Sequence, residues 1–79
     1  MKGADRRPPA AGAPIKRSVS IAGHRTSLSL EPEFWEALQS AAMEESTSLA
    51  GLIAGIDAKR GQRNLSSAVR VWLLERVRR

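Results

Sequence analysis

The chain has 79 residues, no cysteine, one histidine and a net charge of +5, which excludes disulfides and thiolate metal sites. A domain this small rarely gains more than about 3–5 kcal/mol from its own core, so association with a second copy is the expected source of stability. No long apolar run or signal-peptide pattern is present, and we expect a cytoplasmic protein without metal or other cofactor.

Basic residues are concentrated in the first third of the chain. Residues 1–24 carry a net charge of +4, whereas residues 25–79 carry only +1. This asymmetry favours a polyanionic partner, nucleic acid before membrane, although a solubilising tail explains it about equally well. Residues 1–17 contain three prolines and two glycines without apolar periodicity, which predicts a disordered arm.

Residues 25–30 alternate with a period of two, which predicts a β-strand with one buried and one polar face. Residues 18–22 alternate as well, but Gly23-His24 after them is not a usual hairpin dipeptide, so a second strand is the weaker prediction. In the predicted strand, Thr26, Leu28 and Leu30 point to one side and Arg25, Ser27 and Ser29 to the other.

Three helices are predicted after the strand, at about residues 32–45, 48–60 and 64–78. Pro32 suits a first helical position, where its missing N–H costs nothing. Ser48 and Asn64 can cap the second and third helices, and Gly61 ends the second. The predicted domain therefore covers residues 18–79 and is mainly α, with one strand before three helices.

A single strand has no partner within such a domain. An isolated strand leaves its N–H and C=O groups unpaired, and pairing with the same strand of a second chain about a two-fold axis solves this. The sequence therefore predicts an intertwined homodimer with an intermolecular two-stranded antiparallel ribbon. The predicted dimer core contains Leu28, Leu30, Trp35, Leu38, Leu52, Ile53 and Ile56.

The polar side of such a ribbon has the size and chemistry of a major-groove ligand. Arginine can contact guanine through two hydrogen bonds, and serine hydroxyls can donate to or accept from base edges. Alternating serines are also found on ordinary solvent-facing strands. The unpaired strand, the basic arm and the following helices favour DNA contact.

Residues 25–60 resemble the ribbon-helix-helix fold of the Arc and MetJ repressors, which read DNA with a β-ribbon. Over residues 16–79 the chain is similar to a subgroup of small, mostly alphaproteobacterial proteins with an added C-terminal helix. The shared motifs are Lys16-Arg17-Ser18-Val19, the run from Gly23 to Glu31, Phe34-Trp35, Leu52-Ile53-Ala54, Ile56-Asp57 and Asn64-Leu65-Ser66-Ser67-Ala68.

This resemblance implies a dimeric, repressor-like transcriptional regulator that binds double-stranded DNA at the nucleoid. It implies base contacts by Arg25, Ser27 and Ser29, and a DNA phosphate held by the N–H groups around Thr47, Ser48 and Leu49. The basic arm adds Lys16 and Arg17 as phosphate contacts.

Two features of the second helix's start depart from that pattern. Many family members have glycine between the first two helices, whereas this chain reads Glu45-Ser46-Thr47-Ser48. Glu44 and Glu45 would also repel a phosphate unless they face away.

An alternative function is a protein-interaction module, or an antitoxin-like dimer that binds a protein partner through the third helix. Core packing is the safer interpretation of that helix. An enzyme is not expected, since the chain offers one histidine, no cysteine and no glycine-rich phosphate loop. The apolar face of the predicted third helix, through which a protein partner would bind, contains Leu65, Val69, Trp72, Leu73 and Val77.

Overall fold

The computed structural model describes residues 12–78. Its elements are β1 (Ile15–Ile21), β2 (His24–Leu30), α1 (Pro32–Glu44), α2 (Leu49–Lys59) and α3 (Leu65–Val77). The two strands form an antiparallel sheet, and the helices pack against one face of it. This arrangement confirms the predicted fold class, a ribbon and two helices with a third helix added. Within residues 12–78, no helix combines the length and apolarity needed to span a membrane.

The prediction of a single strand was wrong, because residues 15–21 form a second strand that pairs with β2 along its whole length. The loop between them is Ala22-Gly23, and both residues have positive φ, 50° and 85°. Two positive φ values are the type I′ signature, whose twist matches that of the flanking strands. This hairpin is formed within one chain, and residues 15–17 belong to it rather than to the predicted disordered arm. Residues 1–11 lie outside the described residues.

The hydrophobic core closes within one chain. Leu30 of β2, Leu38 of α1, Ile53 of α2 and Val69 of α3 are all 0% exposed. Full burial of one such side chain contributes about 1.5–3 kcal/mol to stability. The residues predicted to form a dimer core therefore pack against one another in a single chain: Leu28, Leu30, Trp35, Leu38, Ile53 and Ile56 are buried, and Leu52 is partly buried.

The turn between α1 and α2 forms without glycine. Ser46 has a φ of 56°, its N–H donates to the Met43 carbonyl at 3.1 Å, and the Thr47 N–H donates to the Ala42 carbonyl at 2.9 Å. These two bonds define a Schellman motif, in which glycine usually occupies the left-handed position. Ser46 therefore takes the place and the backbone conformation of the missing glycine.

Polar contacts hold α3 at both ends. Near its start, Ser66 Oγ donates to the Ser29 carbonyl at 2.9 Å, and Arg70 pairs with Glu31 at 3.1 Å. Near its end, Arg76 donates to carboxylates at the end of α1. The third helix is thus an integral part of the domain and covers the C-terminal end of β2.

Candidate nucleic-acid interface

The hairpin has two chemically distinct faces, because directly opposite residues of an antiparallel pair point the same way. The face toward the helices carries the buried Ile21, Leu28 and Leu30. The other face, here called the outer face, carries only serine, lysine and arginine, and five of its six residues are exposed, Ser29 being partly buried. Its cross-strand pairs are Lys16–Ser29, Ser18–Ser27 and Ser20–Arg25.

The structure brings together the three residues predicted to contact bases. Arg25, Ser27 and Ser29 lie in one row along β2 on the outer face. Sequence reasoning missed their neighbours Ser18 and Ser20 on β1. The alternation of residues 18–22 is the signal for them, and it becomes decisive only once the loop is known to be Ala22-Gly23 and not Gly23-His24.

The edge of β2 that faces away from β1 is partly covered. A two-residue loop makes Ile21 and His24 the hydrogen-bonded closing pair, and hydrogen-bonded pairs alternate along the ladder. The main-chain groups of Arg25, Ser27 and Ser29 therefore point away from β1. The bond from Ser66 Oγ to the Ser29 carbonyl agrees with this pattern and shows that α3 occupies one end of the edge.

Lys16 and Arg17, the two predicted phosphate contacts of the arm, lie on opposite faces. Lys16 is exposed on the outer face, opposite Ser29. The Arg17 guanidinium lies 4.8 Å from the ring centroid of Trp35, on the side of the helices. The Trp35 Nε1–H also donates to the Ile15 carbonyl at 3.0 Å, so Arg17 and Trp35 together hold the start of β1 against α1.

The N-terminus of α2 has an ordinary serine cap. Ser48 Oγ accepts from the Gly51 N–H at 2.9 Å, and the Leu52 N–H donates to the Ser48 carbonyl. The first-turn N–H groups of Leu49 and Ala50 are the ones that an α-helix leaves for an external acceptor. Thr47 and Ser48 are both exposed at this end.

The carboxylates nearest to this helix start are paired with a cation. Arg76 donates to Glu45 at 2.6 Å and to Glu44 at 2.5 Å. These hydrogen bonds, the one to Glu44 first, raise the pKa of Arg76 above its ordinary value, so the guanidinium stays charged. The expected repulsion of a phosphate by Glu44 and Glu45 is therefore partly offset by Arg76 of α3.

Glu31 is the residue directly after β2, two positions after the outer-face residue Ser29. A hydrogen bond from its own backbone N–H, followed by the hydrogen bond and charge of Arg70, lowers its pKa below the ordinary value. Arg70 thus balances the negative charge of Glu31 beside the ribbon.

The apolar face of α3 divides between the core and solvent. Val69 and Leu73 are buried, and Leu65 and Trp72 pack against the core. Leu74 and Val77 are 51% and 76% exposed, and they line a groove of about 390 Å³ between α1 and α3 together with Phe34 and Ala37. Most of the predicted α3 face is thus committed to packing in its own chain.

The model of the ribbon-helix-helix domain family matches residues 14–77, a range that includes both strands and all three helices. Neither the curated proteins nor the solved structures contain a significant match. Proteins of this family typically bind DNA as dimers and regulate transcription. By its domain match and its fold, the chain belongs to the ribbon-helix-helix family of DNA-binding proteins.

Proposed function

We propose that this protein binds double-stranded DNA sequence-specifically by inserting the outer face of its hairpin into the major groove, as a repressor-like regulator at the nucleoid. The observation that carries the proposal is the composition of that face, which is made only of serine, lysine and arginine. A major groove about 12 Å wide admits a two-stranded ribbon.

Each predicted contact has a distinct role in this proposal. Arg25 contacts a guanine through two hydrogen bonds, and Ser27 and Ser29 contact neighbouring base edges. Lys16, on the same face, contacts a phosphate and sets the register without selecting sequence.

The start of α2 supplies a second phosphate contact. The Leu49 and Ala50 N–H groups bind the anion, assisted by the exposed hydroxyls of Thr47 and Ser48. Arg76 supports this contact by pairing with Glu44 and Glu45 and cancelling one of their two negative charges. Arg17, the other predicted phosphate contact, is left out of this proposal, because its guanidinium lies over Trp35 on the opposite face.

We also propose that the protein acts as a homodimer, as family members typically do. Two copies related by a two-fold axis place two hairpins on two half-sites of one operator. Each hairpin is complete in its own chain, so the dimer is required for affinity and operator symmetry rather than for forming the ribbon.

The test begins with selection of bound fragments from the host genome in the presence of excess competitor DNA. On the selected site, Arg25→Ala should lose about 1–3 kcal/mol of base discrimination, because it removes a bidentate contact. Ser27→Ala and Ser29→Ala should weaken specific binding while leaving non-specific binding almost unchanged, since they remove no charge. Ser40→Ala, at an exposed position of α1, is the matched control.

Wild-type affinity in all three outer-face variants would contradict the proposal. If such variants bound DNA normally while a change at Leu74 or Val77 abolished a complex with another protein, the interaction-module function would replace it.

A further inference from the structure

A second groove, larger than the one beside Leu74 and Val77, runs between α2 and α3. Its volume is about 480 Å³, and it is here called the α2–α3 groove. Leu52 and Ile56 of α2 and Trp72 of α3 contribute apolar surface to its lining. None of the three proposed base-contacting residues lies in it.

Gly55, near the middle of α2, exposes the helix backbone in this groove. Glycine inside a helix lowers stability relative to alanine, so its presence calls for a reason. Gly51 has one, because a Cβ there would lie 2.8 Å from Thr47 Oγ1 and 3.0 Å from Ser48 Oγ. A Cβ at Gly55 would meet no atom of the described residues within 4 Å. An occupant that approaches the α2 backbone closely would account for glycine at this position.

The two ends of the groove carry opposite charges. Lys59 and Arg63 line the end at which α2 stops, and Glu45 and Glu75 line the other end. Arg76 pairs with Glu45 at 2.6 Å, which explains why its sequence neighbour Glu75 lies at the same end. The 11 residues of α2 separate the two ends by about 16 Å.

We infer that the α2–α3 groove packs against the same groove of a second copy of this chain, about a two-fold axis that crosses it near Gly55. The charges at its two ends then favour an identical copy over a related chain with other charges there. This inference rests on the proposed homodimer and specifies a surface through which the helices of its two copies meet.

The charge pattern is self-complementary in one orientation only. A two-fold axis across the groove brings the basic end of each copy to the acidic end of the other, and every contact occurs twice. Arg63 then faces Glu75 of the second copy. An axis along the groove would instead bring like charges together, which opposes association. In the favoured orientation the two α2 helices cross at Gly55, where no side chain separates their backbones.

The first experiment reverses one charge at each end and follows the association of full-length chains by light scattering and native mass spectrometry. Arg63→Glu and Glu75→Arg should each raise the dissociation constant of the homodimer about 10-fold, since each reversal acts twice in a symmetric contact. An equal mixture of the two variants should form a heterodimer about as tight as the wild-type dimer, because both ion pairs are restored. Arg78→Glu, exposed and outside the groove, is the control and should associate like the wild type.

The second experiment tests the close approach at Gly55. Gly55→Ala should raise the melting temperature of the dilute monomer by about 3–6 °C, because alanine is the better helix former. The same methyl group should weaken dimer formation about 5- to 100-fold by holding the two helices apart. A gain in stability together with a loss of association cannot result from misfolding.

The outcomes separate this inference from the proposed homodimer. If the wild type stays monomeric at every concentration, both are overturned. If the wild type dimerises and the three groove variants dimerise equally well, the contact lies elsewhere, and only the inference is overturned. Weakened homodimers that the mixture of Arg63→Glu and Glu75→Arg does not restore would also overturn it, since the two ends would then not face each other.

Discussion

Ser46 shows how one residue can satisfy a backbone requirement against its own preference. Its φ of 56° lies in the left-handed region, where a side chain costs about 1–2 kcal/mol. The bonds of the Schellman motif on both sides of it hold the conformation in place. The turn thus retains the geometry that glycine would provide, at some cost in stability.

Ser46→Gly should therefore raise the free energy of unfolding, by about 0.5–1 kcal/mol after allowing for the greater chain entropy of glycine in the unfolded state. Urea denaturation measures the difference. Ser40→Gly provides the control, since at an exposed position inside α1 glycine should lower stability by about 0.5 kcal/mol. Equal destabilisation by both substitutions would show that the left-handed strain at Ser46 is negligible.

At the scale of the elements, α3 connects to the ribbon through Glu31 and Arg70. The Arg70 guanidinium pairs with the carboxylate at 3.1 Å and lies 5.7 Å from the centroid of the Phe34 ring. Glu31 also precedes the first residue of α1. One carboxylate therefore links the end of β2, the start of α1 and the middle of α3.

This ion pair predicts a specific dependence of stability on pH. The pKa of Glu31 is lowered in the folded protein, so its contribution is present above the ordinary value of 4.5 and is lost as pH falls through the lowered one. Melting temperatures of the wild type and Glu31→Gln should differ at neutral pH and converge in acid. A difference that persists unchanged at a pH well below the lowered pKa would exclude a role for the charge.

For the whole molecule, we expect folding and dimer formation to be separable. The buried core residues pack against one another within one chain, and β2 pairs with β1 of the same chain. The proposed homodimer should appear in light scattering as twice the mass of one chain. On dilution it should dissociate into folded monomers, which retain their helical circular dichroism. Loss of helix in step with dissociation would instead indicate an intertwined dimer.

The charges of the hairpin should act on DNA through one face only. Each phosphate contact contributes about 0.9 to the slope of log affinity against log salt. Lys16→Gln should reduce that slope by about this amount for each bound chain, because Lys16 lies on the outer face. Arg17→Gln removes the same charge from the opposite face, where Arg17 stacks on Trp35, and should leave the slope nearly unchanged. Equal effects of the two substitutions would show that the DNA does not distinguish the faces.

The sequence by itself determined the faces of β2 and the presence of three helices. Leu28 and Leu30 are buried, and Arg25 and Ser27 are exposed, as the period of two predicts. A slip of one residue would exchange the two sets, so alternation specifies a face wherever one side is buried. Periodicity and capping at Ser48 and Asn64 are local properties as well, which is why they could be read along the chain.

Only the tertiary structure decided which strand pairs with β2 and which charges meet. The hairpin requires Ala22 to take a left-handed φ of 50°, a conformation that alanine disfavours. The pairing of two seven-residue strands, one face of which is buried, stabilises this conformation. Likewise, Arg76 reaches Glu44 and Glu45 across 32 and 31 residues of sequence. Such choices depend on energies summed over the whole packed molecule, and no local pattern of residue types contains them.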